Sequence, residues 1–357
     1  MIEAVGTRAR GLRSQRPDAL EATSAIRRLD WWLLGAVAGL LAFGLWAIHG
    51  ITAHDVTGNP DYFFTRQAIY AAVGVAGALV LLFVDPQFYR RHMWAIYIGT
   101  TGVMLLVLLA GTVSRHSKRW LDIGFFRFQP SEFGKLLFVL FLAAFLADRA
   151  KRIGESRTVL ETIGLGLVPI LLVFVQPDIG TAMVYTAALA AVLFVAGVRW
   201  VHLAALGIGT LVVILAVLWL LPAGGVEGRG VAGATQTKLN FLPEHATDFA
   251  FASLAEQRGF VGVSVLLLLY LLVVWRGLKV IAIARDAFSA IVAGGIVFAF
   301  LFQVFINVGM NIGTAPVTGI PLPFVSVGGS ALIANLLAIG VLEAIHIRGA
   351  ARPKAYR

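Results

Sequence analysis

Val261-Gly-Val-Ser-Val-Leu-Leu-Leu-Leu-Tyr-Leu-Leu-Val-Val-Trp275 runs for fifteen residues without a charge or a proline. Three more stretches, Leu33–His49, Trp94–Gly111 and Leu203–Leu221, are of the same kind. Each approaches the ~20 apolar residues that a helix needs to cross ~30 Å of hydrocarbon. Lipid offers no partner to a backbone amide or carbonyl, so runs like these must be helices, which satisfy their own backbone. The composition agrees: 59% of the 357 residues are hydrophobic and 13% are charged, about half the charged share of an average soluble protein.

Working outward from these runs, the hydropathy pattern predicts ten spans, at about 31–49, 67–84, 93–111, 133–147, 160–175, 181–198, 202–222, 249–275, 288–312 and 329–347. The expected fold class is all-α, a polytopic membrane protein with one membrane domain over 31–347. A basic tail precedes it (1–30) and another follows (348–357). Twenty of the 29 lysines and arginines fall on one set of alternate sides, including both tails, Arg90, Arg91, Arg149, Lys151, Arg152 and Arg276. The positive-inside rule then puts both termini in the cytoplasm, which an even number of spans requires.

The net charge of +10 is therefore mainly a topology signal, with anionic membrane lipids as partners of the tails, and no nucleic acid is expected. The first thirty residues carry six arginines and no apolar core, so they do not read as a cleavable signal. Without cysteine, disulfide and thiolate chemistry are excluded. No G-x-x-x-x-G-K-[ST] phosphate loop occurs, which argues against a built-in ATP motor. The long polar stretches, 112–132, 223–248 and 313–328, all fall on the outer side of this topology, where any chemistry should lie.

Four blocks stand out there. The first runs from Ser114 to Lys135 and puts Arg115, Lys118, Arg119 and Arg127 on a side where cations are scarce. They could gather a phosphate or pyrophosphate, or anchor to headgroups with Trp120 as an interfacial aromatic. Glu132 and Lys135 follow on one face of a helix start, where ionised groups must pair or line a cavity. Gln176-Pro-Asp-Ile-Gly-Thr181 reads as a tight turn in which Asp178 caps the next helix.

In the third block, Gly228–Phe249, Asp248 stands at the mouth of a helix, as an N-cap or as a reactive carboxylate. Glu256 lies eight residues on, roughly 12 Å along the axis and about 80° round it, able to face the same cleft. A carboxylate in a half-dry cleft suits general-base work, and His245 stands close by in the chain. The fourth block, Asn311–Ser330, has too much proline and glycine for one helix and too little polarity for an ordinary loop. A re-entrant loop buried in protein fits both properties.

Together these blocks resemble the SEDS family of bacterial cell-wall proteins, typified by RodA and FtsW. The residues that carry the resemblance are Arg119-Trp120, Gln129-Pro-Ser-Glu-x-x-Lys135, Gln176–Thr181, Gly233-Ala-Thr-Gln236, Leu242-Pro-Glu244, Thr247-Asp-Phe249, Glu256-x-x-Gly259, Pro316–Ser326 and Gly328-Gly-Ser330. Asn240-Phe-Leu-Pro-Glu244 leans toward the RodA branch. The resemblance implies an inverting peptidoglycan glycosyltransferase that polymerises lipid II for cell elongation and shape. It would work on the outer face of the bacterial cytoplasmic membrane, beside a class B penicillin-binding transpeptidase, within a cell-wall elongation or division complex.

Carried onto this chain, the resemblance makes Asp248 the catalytic base. Trp120, Arg119, Lys118, Glu132, Lys135, Glu256, Thr247, Gln236 and Ser326 become substrate-binding residues. A divalent cation such as magnesium or manganese is compatible with it, but the resemblance fixes no metal ligand. Departures are visible. The family has several dozen more residues before Gly228-Arg-Gly230, and Ala246, Gln257, Val327 and Ala331 replace its usual His, Glu, Tyr and Ser. The rival readings are a lipid II flippase, which would favour matched inverted repeats and midplane charges, and a non-catalytic scaffold for cell-wall synthases.

Overall fold

A computed structural model describes residues 27–53, 55–56, 58–114, 117–124, 126–153, 155–197 and 246–351. Among them run α1 (Trp31–Thr52), α2 (Tyr62–Phe83), the short α3 (Pro86–Arg91), α4 (Met93–Ala110), α5 (Pro130–Asp148), α6 (Ser156–Val175) and α7 (Ile179–Gly197). After a gap come α8 (Ala250–Ile283), α9 (Ala287–Asn311) and α10 (Gly329–Ala350). All but α3 are long and apolar enough to cross a membrane, nine helices among the described residues. They match nine of the ten expected spans; the one at 202–222, with Gln236 and His245, lies outside the described residues. The chain is a multi-pass helical membrane protein.

Local chemistry sets the helix ends. Asp30 caps α1 by accepting from the Leu33 N–H at 3.1 Å, and Asp286 caps α9 through Ser289 N–H at 2.9 Å. Pro86 and Pro130 open α3 and α5 at positions where a missing N–H costs nothing. The span expected over 249–275 runs on to Ile283, and in this extension Lys279 covers Trp275 with its ammonium 3.7 Å from the ring centre. The same helix breaks at Gly259, whose φ of +61° suits glycine.

Helices α5, α9 and α10 form the buried centre, whereas α2 and α4 turn most of their surface outward. Helix α2 packs along α10 at very short range. A Cβ on Gly74 would lie 3.2 Å from the Ile333 Cα, and one on Gly340 would lie 2.7 Å from the Ala78 carbonyl oxygen. Small residues let backbones approach in this way where no hydrophobic force drives helices together.

At the end of the bundle where α1 begins, Arg276 clasps Asp30 at 2.6 Å, and the Asp30 N–H donates to Glu343 at 3.1 Å. Asp30 and Glu343 are both buried, so the first span, α8 and the last span are tied by one guanidinium and two carboxyls.

Two regions at the opposite end are not helical. Thr112–Phe128 forms a small antiparallel sheet in the order β1 (Thr112–Ser114), β2 (Ser117–Ile123), β3 (Phe126–Phe128). This sheet adds to the all-α expectation. Its cause is the alternation Phe126-Arg127-Phe128 facing Leu121-Asp122-Ile123, with a turn at Gly124, whose φ is +60°. The Pro-rich stretch between α9 and α10 is irregular, as expected, and buries Ile320, Leu322, Phe324 and Val325 among the helices.

Candidate active site

The Pro-rich loop and the start of α8 are stitched together, and that seam holds Asp248. Val327 N–H donates to the Ala246 carbonyl at 2.9 Å, and Ser326 Oγ donates to the Thr247 carbonyl at 2.5 Å. Ser326 Oγ in turn accepts from Leu322 N–H at 2.9 Å, so one hydroxyl shapes the loop and docks it on α8. From α2, buried Gln67 clamps the same corner by donating to the Ser326 carbonyl at 3.1 Å and accepting from Gly328 N–H at 3.3 Å. Phe249, not Asp248, occupies the N-cap position of α8 and makes no side-chain cap bond.

The Asp248 backbone is fixed separately from its carboxylate. Its carbonyl accepts from the side-chain amides of Asn307 at 3.1 Å and Asn311 at 3.3 Å. The Asn307 amide also reaches the Ile320 carbonyl at 2.7 Å. Helix α9 thus holds both walls of the seam with one fully buried side chain. The carboxylate lies over Gly319, where a Cβ would sit 3.5 Å from Oδ2. Gly319 has a φ of +69°, a conformation that L side chains adopt only with strain.

Gln303, Asn307 and Asn311 recur every four residues along α9, so they form a polar stripe roughly 12 Å long on an apolar helix. At its inner end Gln303 accepts from Lys135 Nζ at 3.2 Å, and Lys135 pairs with Glu132 at 2.8 Å. Both members of the pair are buried, as the sequence led one to expect of ionised groups at this depth. Below them opens a mainly apolar cavity between α5, α8, α9 and α10, with Phe300 and Asn335 on its wall. The stripe therefore connects the Glu132–Lys135 pair to the Asp248 seam. Glu256 is buried on α8.

The cations of the first block separate. Arg119 lies 3.6 Å from Asp178, while Arg127 pairs across the sheet with Asp122 at 3.3 Å and is largely exposed. Trp120 and Arg119 are half-buried neighbours on β2, which also carries Lys118; Arg115 is outside the described residues. Asp178 caps α7 through Thr181 N–H at 3.1 Å, as expected, and also accepts from Gln129 at 3.0 Å. The Gln129 N–H donates to Ser330 Oγ at 3.0 Å, so the sheet, α5, α7 and α10 meet at these polar groups.

Gly180 does more than turn the chain. It sits in α7 against the Pro-rich loop, where a Cβ would lie 2.4 Å from the Thr318 carbonyl oxygen. Gly44 does the same from α1, with a Cβ position 2.3 Å from the Phe324 carbonyl oxygen. Among the described residues no three His, Cys, Asp or Glu side chains gather as a metal cluster.

Comparison with known proteins gives the context. The model of the FtsW/RodA/SpoVE family of cell cycle proteins matches residues 27–223 and 218–350. Stage V sporulation protein E of Bacillus subtilis is 34% identical, over 85% of this chain and 93% of that protein. Peptidoglycan glycosyltransferase MrdB of Escherichia coli is 33% identical, over 89% and 93%. The crystal structure of the rod shape determining protein RodA of Thermus thermophilus superposes with a TM-score of 0.72 at 30% identity, covering 91% of this chain and 98% of that one. A chain from a structure of a peptidoglycan synthase complex gives a TM-score of 0.74 at 27% identity, covering 91% and 99%.

Proposed function

This chain belongs to the FtsW/RodA/SpoVE family, and from that premise we propose that it is a peptidoglycan glycosyltransferase which polymerises lipid II. The observation that carries the reading is the Asp248 carboxylate over Gly319, at a corner whose backbone is held by Asn307 and Asn311. A base for glycosyl transfer has to be aimed, and amide bonds to the carbonyl aim Asp248 without neutralising its charge.

In the proposed reaction Asp248 takes the proton from an acceptor sugar hydroxyl. That oxygen attacks the anomeric carbon of the donor from the side opposite the polyprenyl pyrophosphate. The bond to the pyrophosphate breaks, the electron pair leaves with it, and the configuration inverts. Arg119 and Lys118 on β2 would stabilise the departing anion, and Trp120 beside them would pack on substrate. Arg119 would have to ease away from Asp178, at 3.6 Å a loose partner. Thr247, Ser326 and Gln236 would shape the acceptor side, with Glu256 as a second carboxylate of the cleft. Glu132 and Lys135 would keep the inner end of the α9 stripe polar.

On the ten-span topology this chemistry faces outward from the cytoplasmic membrane, and the Pro-rich loop re-enters the bilayer from that side. The partner is a class B penicillin-binding transpeptidase, and the elongation role rests on Asn240-Phe-Leu-Pro-Glu244. The test is reconstitution of the purified protein with lipid II and such a partner, comparing wild type with Asp248→Asn for glycan products. Polymer from the wild type alone is expected. Equal polymer from both would remove Asp248 from the base role; headgroups crossing the bilayer without polymer would favour a flippase, and binding alone a scaffold.

A further inference from the structure

Among the cations that the transferase reading leaves unused, Arg258 has the most unusual surroundings. Arg258, on α8 one residue before the break at Gly259, lies over the indole of Trp46 on α1, its guanidinium carbon 3.5 Å from the ring centre. Its Nε is buried without a hydrogen-bond partner, and among the described residues no carboxylate pairs with it. The nearest acid in sequence, Glu256, is two residues away and so about 200° round the helix, directed inward while Arg258 faces outward.

The flank around Arg258 is apolar and open. Trp46 is 49% exposed, Val261 51% and Phe260 37%, and Phe43 packs edge-on against Trp46. The place is also braced, since buried Gln257 donates to the Gly50 carbonyl of α1 at 3.4 Å. Ionised groups at membrane depth pair or face water, and long cationic side chains reach toward the headgroups. Stacking on an indole engages the flat face of a guanidinium, so the in-plane N–H donors of its two terminal nitrogens remain to pair with two oxygens of one phosphate.

We propose that Arg258, stacked on Trp46, holds the phosphate of a glycerophospholipid on the outer flank of α1 and α8. One guanidinium matches the single negative charge of a phosphodiester. A pyrophosphate would call for several cations, such as those that the sheet carries. The site is separate from the Asp248 seam and does not depend on the transferase reading.

Native mass spectrometry of the full-length protein, released from detergent, tests the proposal with three probes carrying the same loading: phosphatidylglycerol, a diacylglycerol with the same tails, and a polyprenyl monophosphate. Wild type is expected to retain one phosphatidylglycerol and no diacylglycerol. Arg258→Gln should bind that lipid roughly tenfold more weakly, while Arg258→Lys, which keeps the charge, should fall between. Phosphatidylglycerol should also raise the melting temperature of wild type and not of Arg258→Gln, a comparison that stands even if the variant starts lower. Equal retention by wild type and Arg258→Gln, diacylglycerol bound as well as phosphatidylglycerol, or preference for the polyprenyl phosphate would each overturn it.

Discussion

Gly180 of α7 touches the backbone of Thr318: a Cβ added to the glycine would stand 2.4 Å from that carbonyl oxygen and 2.7 Å from Ile320 Cγ1. There is no flexible side chain to move aside at the first of these contacts. Gly180→Ala should therefore push the Pro-rich loop away from the bundle, at about 1–3 kcal/mol of overpacking. A lower thermal midpoint together with loss of glycan polymerisation is the expected result, and an unchanged variant in both assays would show that the loop is free to shift.

Asp248→Asn should separate chemistry from structure. The amides of Asn307 and Asn311 bind the Asp248 carbonyl, which the substitution keeps. The thermal midpoint should stay within the scatter of wild type while polymerisation falls by roughly a hundredfold or more. A large loss of stability would show that the carboxylate itself holds the fold.

Asn307→Ala removes the side chain that joins the Asp248 and Ile320 carbonyls inside a fully buried environment. The Ile320 carbonyl then loses its donor, while the Asp248 carbonyl keeps the Asn311 amide, at a cost of roughly 1–3 kcal/mol. Denaturation of the purified protein in detergent measures this, and Asn311→Ala, at the more open end of the stripe, should cost less.

The Glu132–Lys135 pair is best read by a double-mutant cycle. Lys135→Met leaves Glu132 buried beside Gln303 and should destabilise by about 3–5 kcal/mol. Adding Glu132→Gln should recover much of that loss, because no buried charge then lacks a partner. If stability recovers and polymerisation does not, the pair serves substrate and not only the fold.

Arg276→Met at the other end strips the guanidinium from Asp30, which is buried next to Glu343. A loss of about 3–5 kcal/mol is expected, read as a lower thermal midpoint of the purified protein. Arg276→Lys, able to make a single contact, should lie between.

The helices were legible because hydropathy and length are local properties: nine spans stand where the runs of Leu, Val, Ala and Phe put them. The cap at Asp178 and the pair at Glu132 and Lys135 were legible for the same reason, each being a matter of three residues' spacing. The sheet at Thr112–Phe128 was missed; its strands are short, and its alternation shows only against the facing strand. Asn307 was missed although the signal existed, since Gln303, Asn307 and Asn311 at every fourth place are a polar line on a helix that should have none. The roles of Gly44 and Gly180 could not be read in advance, because a close approach belongs to two elements far apart in sequence.

The loop between α9 and α10 is gripped largely through its main chain: Thr318 and Phe324 by bare glycine surfaces, Ile320 by an amide from α9, and Ser326 by a glutamine from α2. Information about its shape is thus stored mostly in its surroundings. A deep mutational scan should reflect this inversion, tolerating Val317, which points outward, while punishing Gly44, Gly180, Gln67 and Asn307 on four different helices. Transplanting the loop sequence alone into another scaffold would not carry its conformation along; the four holders would have to travel with it.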